Sequence, residues 1–321
     1  MDCIKKVKLA ELQDHLPDGY AFICFASFEE RCFSVVKSIK PENISKAYVL
    51  YNSDRQMMEK SKPHLDAICA KIESIFSMAI ELSKPVNIAD RLFNIIQEIL
   101  KNGDTKLIID ITSFTHETLL ILINCLYMYK ERFDSIILLY NGASEYSSWL
   151  SKGCKEARNV IGYPGLLKPS LKYHLVILTG FEHERATRLV ELLEPDLLSL
   201  GNGVDPTNHN HGETMDKTKR EFGNWARNLQ GLQTDSFEFS CSDIQSTTET
   251  LTKIVETNSS HNFILVPLNT KLSTISVALV ALQHKKVQVC YSVPEVYNTI
   301  YSKPSENITI VELSRITEFL Q

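Results

Sequence analysis

The sequence predicts an α/β protein of two tandem Rossmann-like lobes, each with a mainly parallel sheet. Short, almost wholly apolar runs alternate with longer segments of helical periodicity along the chain. Three segments of the first half recur in the second half in the same order. A stretch rich in Gly and Pro at 160–172 separates the halves. These features predict an N-terminal lobe at 1–165 and a C-terminal lobe at 166–321, related by internal duplication.

The first half is predicted to contain five strands and four helices. Apolar runs predict strands at 20–25, 47–51, 77–82, 107–111 and 135–140. Helical periodicity predicts helices at 29–39, 57–75, 88–101 and 115–130. Nearly continuous apolar strands separated by helices are typical of a parallel sheet that is covered on both faces.

The second half repeats this plan. Strands are predicted at 174–178, 196–200, 236–239, 262–268, 287–292 and 308–313. Helices are predicted at 184–193, 215–229, 243–257 and 273–284, with a short helix at the C-terminus. The polar stretch 201–212 is predicted to be a long loop. It contains His209 and His211, but its spacing is not that of a zinc site, so we interpret it as a polar lid over the ligand.

The composition limits the class of protein. The 321 residues include 34 Lys and Arg against 39 Asp and Glu, and the formal net charge is -5, so direct binding of duplex DNA is not expected. Eight cysteines without a CxxC pair indicate a reducing cytoplasm rather than disulfides or zinc. No apolar run approaches the ~20 residues that cross a bilayer. We therefore expect a cytoplasmic protein with no membrane partner, cofactor or metal.

The recurring segments all follow the carboxyl end of a predicted strand. Residues 25–31 match 178–185, and residues 107–126 match 263–282. Residues 140–146 match 291–297, with two tyrosines six positions apart in each. Because open parallel sheets bind ligands at the carboxyl ends of their strands, we expect the two lobes to form one composite pocket.

Two arginines are candidates for holding an anion in that pocket. Arg31 and Arg185 each follow a Phe-Glu pair at the start of a predicted helix, and a guanidinium suits phosphate or carboxylate. The alternative interpretation is structural. In that case Glu29 and Glu182 complement the helix dipoles, and the arginines form surface or interlobe ion pairs.

Asp110 is the strongest candidate in the N-terminal lobe, because a carboxylate within an apolar strand is costly unless it is paired or near the strand end. Thr112 and Ser113 follow it, and both are common at the start of helices. In the matching turn, Lys271 offers a point charge for an anionic ligand. The predicted ligand-binding residues are Glu29, Arg31, Asp110, Thr112, Ser113, Tyr140, Glu182, Arg185, Asn269, Thr270, Lys271 and Tyr291.

The strand, Asp-x-Thr-Ser turn and helix at 107–126 resemble the signature of CARF domains, and a tandem pair of such folds resembles SAVED domains. These are sensor modules of bacterial antiviral systems that bind cyclic oligonucleotides. The turn reads Thr112-Ser113-Phe114-Thr115 where those domains carry a Gly-Thr-Lys form. The nearest lysine counterpart is Thr270-Lys271 in the other lobe.

The whole chain also resembles a less characterised group of bacterial proteins. Their shared features are a strand ending in Asp-Ile-Ser/Thr, a Tyr-x5-Tyr segment, a Pro-Gly boundary and a second lobe that starts with Gly-Phe-Glu. Here these are residues 110–112, 140–146, 164–165 and 180–182. The resemblance implies two Rossmann-like lobes and a role in antiviral defence.

Three functions are compatible with these patterns. The first is a ligand-sensing or regulatory protein that binds a nucleotide-like anion between its lobes and acts on a protein effector in a bacterial antiviral system. The second is a nucleotide or nucleoside hydrolase that uses Asp110 with Glu29 or Glu182. The third is a structural subunit of a defence complex, in which the repeat only builds an interface.

Overall fold

The computed structural model describes residues 3–181, 183–206, 209–229, 231–258, 260–300 and 302–313. The chain forms two compact units. Unit 1 comprises Met1–Ser144 and Ser302–Gln321, and unit 2 comprises Glu145–Tyr301. The chain therefore leaves unit 1, completes unit 2 and returns to unit 1 for its last segment.

The elements of the first 146 residues are strands and helices in alternation. They are β1 (Ile4–Lys8), β2 (Tyr20–Ala26), α1 (Ser34–Ser38), β3 (Ile44–Asn52), α2 (Arg55–Lys71), β4 (Ile75–Ile80), α3 (Pro85–Lys101), β5 (Lys106–Asp110), α4 (His116–Met128), β6 (Ser135–Tyr140) and β7 (Ala143–Tyr146). Short 3-10 helices occupy Leu9–His15, Glu30–Phe33, Pro41–Asn43 and Lys130–Arg132.

Unit 2 and the returning segment repeat this alternation. The elements are β8 (Ser151–Lys152), β9 (Glu156–Pro164), β10 (Lys172–Leu178), α5 (His183–Leu193), β11 (Leu197–Val204), α6 (His209–Arg227), β12 (Gln233–Ser240), α7 (Ile244–Thr257), β13 (His261–Pro267), α8 (Lys271–Gln283), β14 (Val287–Val293), β15 (Val296–Tyr297), β16 (Ser302–Pro304) and β17 (Asn307–Glu312).

The two large sheets have matching strand orders, which confirms the predicted duplicated α/β fold. Unit 1 has the order β1-β17-β6-β5-β2-β3-β4, and unit 2, taken from its other edge, has β9-β14-β13-β10-β11-β12. The central pairs are parallel, as in β2 with β5 and β10 with β13. The five parallel strands of each unit thus follow the Rossmann order 3-2-1-4-5.

One strand of each large sheet comes from the other half of the chain. β9 follows the first repeat but runs antiparallel to β14 in unit 2. β17 follows the second repeat but runs antiparallel to β6 in unit 1. The predicted boundary at 165/166 therefore lies within unit 2, between β9 and β10, and the structure divides the chain after Ser144 and after Tyr301 instead.

The polar stretch 201–212 is not the long loop that we predicted. β11 continues to Val204, and α6 begins at His209, so only 205–208 separate the two elements. The Gly-Asn-Gly sequence at 201–203 is not typical of a strand, and the polar residues at the start of α6 show no helical periodicity. The predicted helix at the C-terminus, beyond β17, lies outside the described residues.

Each unit has its own apolar core on its sheet. In unit 1, Phe22, Val49 and Leu139 from the strands pack with Ile68 of α2. In unit 2, the corresponding core includes Ile177, Leu189, Phe222 and Val266. No helix among the described residues is both long enough and apolar enough to cross a membrane.

Helices α4 and α8 are the most deeply buried helices of their units. Nine consecutive residues of α8, from Leu272 to Val280, are buried, and α4 is nearly as enclosed. A helix that is apolar on all sides is stable only when it is covered on all sides. Both helices begin a few residues after a central strand, so burial fixes their N-termini at the carboxyl end of the sheet.

Candidate functional site

In each unit, the strand order places one crevice between the first and fourth parallel strands. In unit 1 it lies between the carboxyl ends of β2 and β5, and in unit 2 between those of β10 and β13. The order of successive strands reverses at this point of the sheet, which is where open α/β sheets bind their ligands. The predicted site residues of both halves fall in or beside these turns.

Arg31 is the centre of a buried cluster in unit 1. Only 3% of its surface is exposed. Its Nε donates to Glu29 Oε2 and to Ser302 Oγ, both at 3.0 Å, and its Nη1 donates to the carbonyl oxygen of Asn141 at 3.0 Å. Its Nη2 forms an ion pair with Glu29. All three guanidinium nitrogens therefore donate to protein oxygens. The ion pair with Glu29 is buried and local, whereas the structural interpretation of the sequence placed Arg31 in a surface or interlobe pair.

Asp110 ends β5 beside this cluster and is almost fully buried. Its Oδ1 accepts a hydrogen bond from the backbone N–H of Thr112 at 3.0 Å. Burial raises the pKa of the Asp110 carboxyl to about 7, while the Thr112 hydrogen bonds and the charge of Arg31 act in the opposite direction. The carboxyl is thus poised between its neutral and ionised forms near neutral pH.

Asn141 joins the ends of β5 and β6 to the returning segment. Its backbone N–H donates to Thr112 Oγ1 at 2.9 Å. Its side-chain Nδ2 donates to the carbonyl oxygens of Ser305 and Asn307, both at 2.8 Å. Asn141 is not among the predicted site residues, although it stands next to Tyr140 in a repeated segment, and the repeat is the signal that could have found it.

The turn after β5 is built mainly to start α4. Ser113 Oγ donates to the carbonyl oxygen of Phe25 at 2.7 Å, which ties this turn to the end of β2. Thr115 caps α4 by accepting from the backbone N–H of Thr118 at 3.1 Å. Glu117 is buried in the first turn of the helix. With Glu29 and Asp110 near the same strand ends, three carboxyl groups and the guanidinium of Arg31 lie at this end of the sheet.

Arg185 takes the corresponding position in unit 2. It lies in the first turn of α5 and is 6% exposed. Its Nη1 donates to Ser151 Oγ at 3.1 Å, its Nε donates to Ser292 Oγ at 3.3 Å, and its Nη2 donates to the carbonyl oxygen of Ser292. Glu182, the predicted partner of this turn, lies outside the described residues. The roles of both arginines as ligand contacts stay predictions.

The two turns of the unit 2 crevice approach each other closely. A Cβ atom on Gly180 would lie 1.8 Å from the carbonyl oxygen of Leu268, so only glycine fits there. Asn269 Nδ2 donates to the carbonyl oxygen of Thr179 at 2.6 Å. The Thr270 side chain caps α8 by accepting from the backbone N–H of Ser273 at 3.2 Å. These bonds align the turns and the start of α8.

Lys271 is the first residue of α8 and is half-buried. The first turn of α8 contains no acidic residue, whereas the first turn of α4 contains Glu117. A helix N-terminus carries a partial positive charge, which Lys271 reinforces and Glu117 offsets. The two crevices therefore differ in charge, although their backbones correspond.

Aromatic side chains pack beside the unit 2 crevice. The ring of Phe181 stacks on His211 at 4.9 Å between centroids and also contacts Tyr146 at 5.0 Å. Burial lowers the pKa of His211 to about 4, so its imidazole is neutral at pH 7. His211 thus packs within unit 2 as part of α6 rather than in a loop. The side chain of His209 lies outside the described part of the chain.

The predicted tyrosines are buried at the ends of their strands. Tyr140 and Tyr291 are each 5% exposed. The hydroxyl of Tyr291 lies 3.3 Å from that of Tyr297, so the Tyr-x5-Tyr segment of unit 2 brings its two hydroxyls together. The serines that hold the arginines, Ser151 and Ser302, carry no recognisable sequence signal.

Two observations limit the chemistry of the described residues. Burial raises the pKa values of Cys32 and Cys241 to about 12 and that of Cys125 to about 11, so these thiols are protonated and poor nucleophiles. Across the ranges that the structure describes, no group of three His, Cys, Asp or Glu side chains is placed to hold a metal ion.

Comparisons with known proteins find similarity to solved structures but no family. No protein-family model and no curated protein matches the sequence. A solved structure described as a periplasmic ribose ABC transporter from Conexibacter woesei DSM 14684 is similar over 82% of this chain and 69% of that chain. The sequence identity is 10% and the TM-score is 0.22.

Proposed function

We propose that the protein is a ligand-sensing or regulatory protein, and that it binds a nucleotide-like anion at the carboxyl ends of its parallel strands. The observation that carries this proposal is the start of α8 in unit 2. There Lys271 and a capped helix N-terminus follow a central strand, and no acidic residue lies in the first turn. This combination favours a phosphate group.

The crevice of unit 1 has a different preference. Glu29, Asp110 and Glu117 lie near the ends of β2 and β5, and the charge of Arg31 is already paired with Glu29, so this crevice suits a phosphate less well than the start of α8. Carboxylates instead accept hydrogen bonds from hydroxyl and amino groups, such as those of a ribose or a base. We therefore assign the anionic part of the ligand to unit 2.

A hydrolase is the second candidate, and Asp110 is the observation that favours it. A carboxyl with a pKa of about 7 suits general acid–base chemistry near neutral pH. However, Asp110 is 1% exposed and already accepts a hydrogen bond from Thr112. Because the buried thiols are also protonated, binding has more support than catalysis.

The resemblance to CARF and SAVED domains supports the proposed biological setting. A duplicated Rossmann-like fold is the architecture on which that resemblance rests. On this basis we propose a component of a bacterial antiviral system that acts through a protein effector in the cytoplasm. If the protein binds no ligand, the corresponding proposal is that it is a structural subunit of a defence complex.

The test is ligand binding by the full chain and by two lysine variants. Thermal shift and calorimetry would screen mono-, di- and cyclic nucleotides and cyclic oligonucleotides. For a nucleotide that binds, we expect Lys271→Ala to weaken affinity by about tenfold or more, since a charge-assisted contact contributes ~1.5–3 kcal/mol. Lys285→Ala is the matched control, because it removes the same charge beyond the other end of α8.

Two results would contradict the proposal. The first is no response to any nucleotide, because a ligand at 100 times its dissociation constant stabilises the folded state by ~2.7 kcal/mol. The second is an equal loss of affinity in both variants, which would place the anion away from the start of α8. Release of a hydrolysed product from the nucleotide that binds would favour the hydrolase.

A further inference from the structure

Arg31 and Arg185 bind corresponding parts of the two repeats. Arg31 donates to the carbonyl oxygen of Asn141, which directly follows β6. Arg185 donates to the carbonyl oxygen of Ser292, the matching residue near the end of β14. Each arginine also donates to a serine hydroxyl that begins a short strand, Ser302 of β16 or Ser151 of β8. The two arginines therefore make corresponding contacts to the carbonyl oxygen and to the serine hydroxyl.

These partners flank the places where the chain passes from one unit to the other. The first passage lies after Ser144 and the second lies after Tyr301. We define the crossover segments as residues 142–150 and 293–300. Asn141 precedes the first segment and Ser302 follows the second, so Arg31 holds both segments on the side of unit 1. Ser151 and Ser292 take the corresponding positions in unit 2, where Arg185 holds them.

We propose that Arg31 and Arg185 are positioning residues that clamp the two crossover segments, each at its own unit. The clamps fix the points at which β9 enters the sheet of unit 2 and β17 enters the sheet of unit 1. Each of these strands comes from the repeat that forms the other sheet. This inference does not depend on ligand binding or on the proposed function.

Burial and geometry make the arginine fork necessary for this role. The two arginines are 3% and 6% exposed, so their N–H groups need protein partners. A guanidinium has five donors in a fixed plane, whereas the ammonium of lysine has three donors at one point. Lysine keeps the positive charge but cannot reach Glu29, Asn141 and Ser302 together. Losing the fork leaves buried oxygens without a donor.

In unit 1 the clamp is reinforced by a neighbouring side chain. Asn141 Nδ2 donates to the carbonyl oxygens of Ser305 and Asn307, which join β16 to β17. Ser144 Oγ lies 3.5 Å from the carbonyl oxygen of Lys303 in the same pair of strands. The returning segment is thus attached to the end of β6 over several residues. Arg31 connects this attachment to the turn after β2.

Hydrogen exchange measured by mass spectrometry on the full chain tests the clamps. For Arg31→Lys, we expect about tenfold faster exchange in peptides covering 140–147 and 302–308, with 44–71 unchanged. For Arg185→Lys, the faster exchange is expected at 148–156 and 290–297. Ser61→Ala in unit 1 and Ser199→Ala in unit 2 are the controls, because each removes a buried side-chain hydrogen bond away from the crossover segments.

A milder variant keeps the test decisive if an arginine variant does not fold. Ser302→Ala removes one acceptor of Arg31 and leaves the guanidinium in place. We expect about threefold faster exchange at 140–147 and 302–308. Combining it with Arg31→Lys, where that variant folds, adds no further change, because both remove the same clamp.

Three results would overturn the proposal. One is unchanged exchange at the crossover segments in both Ser302→Ala and Arg31→Lys. Another is faster exchange spread evenly through the unit, as expected for a general loss of stability. The third is a local change no larger than that in the control variants.

Discussion

Asp110 is a carboxyl whose protonation is coupled to folding. Burial raises its pKa from 3.8 to about 7, so the folded state holds a proton that the unfolded chain releases between these values. The contribution of Asp110 to stability is therefore fully present below about pH 4. It falls as the pH rises towards 7, by ~1.4 kcal/mol for each pH unit in that window.

We predict that Asp110→Asn removes this dependence. An asparagine oxygen still accepts from the backbone N–H of Thr112 and carries no charge at any pH. Between pH 5 and 7.5, the variant should lose less stability than the natural protein, by a few kcal/mol, on the order of the window above. Urea unfolding of both proteins at the two pH values measures the difference. Equal losses would show that Asp110 is ionised in the folded protein throughout this range.

At the same scale, the sequence identified important residues without fixing their contacts. The sequence patterns left Arg31 either as an anion ligand or as a member of a surface or interlobe ion pair, and the structure pairs it with Glu29 in a buried local contact. One further acceptor, Ser302, is 271 positions away along the chain. Local patterns cannot predict such a partner, because it depends on how the returning segment folds. Asn141 was within reach of prediction, since it occupies a repeated position.

The crevice turn of unit 2 depends on a glycine. Gly180 lies between β10 and α5, where a Cβ atom would meet the carbonyl oxygen of Leu268 at 1.8 Å. The neighbouring hydrogen bond from Asn269 to Thr179 holds the two turns at this separation. A methyl group therefore has to push two backbone segments apart.

We predict that Gly180→Ala destabilises the protein by ~2–4 kcal/mol, because backbone atoms must move. Gly223→Ala is the control, since a Cβ at Gly223 within α6 meets no atom within 4 Å. That change should stabilise the helix by ~0.5–1 kcal/mol. Denaturant unfolding of both variants gives the comparison. Similar effects of the two substitutions would contradict the close approach at Leu268.

The elements themselves were predictable where apolar periodicity was strong. The predicted strands of the two parallel sheets all form, within a few residues of their predicted ends. β9 was missed because only Val160 and Tyr163 of its nine residues are buried, so its sequence resembles a polar linker. The prediction of a loop at 201–212 was wrong for a related reason. Helix α6 buries one face, and its polar first turn hides that pattern.

At the scale of the whole molecule, the sequence did not reveal that each unit takes one strand from the other half of the chain. The repeats predicted two consecutive lobes, because matching segments occur once in each half. The structure keeps the repeats but gives β9 to unit 2 and β17 to unit 1. Pairing of distant strands is set by the register of a complete sheet rather than by the sequence around one strand.

The placement of β17 in unit 1 predicts which unit depends on the C-terminal segment. In unit 1, β17 lies between β1 and β6 and pairs with both. Its residues Ile308, Ile310 and Val311 are at most 5% exposed. Removing β17 would therefore open the sheet of unit 1 and expose part of its core. Two consecutive lobes with a boundary at 165/166 would instead lose stability in the second lobe.

We predict that a chain ending at residue 305 loses hydrogen-exchange protection in β2, β5 and β6, while β10 and β13 stay protected. The strands of unit 2 make no pair with β17, so their sheet is complete without it. A chain ending at residue 313 retains β17 and serves as the control. Exchange of the two chains under the same conditions, followed by mass spectrometry, locates the loss. Loss of protection in β10 and β13, with β2 and β5 still protected, would contradict the placement of β17 in unit 1 and support consecutive lobes.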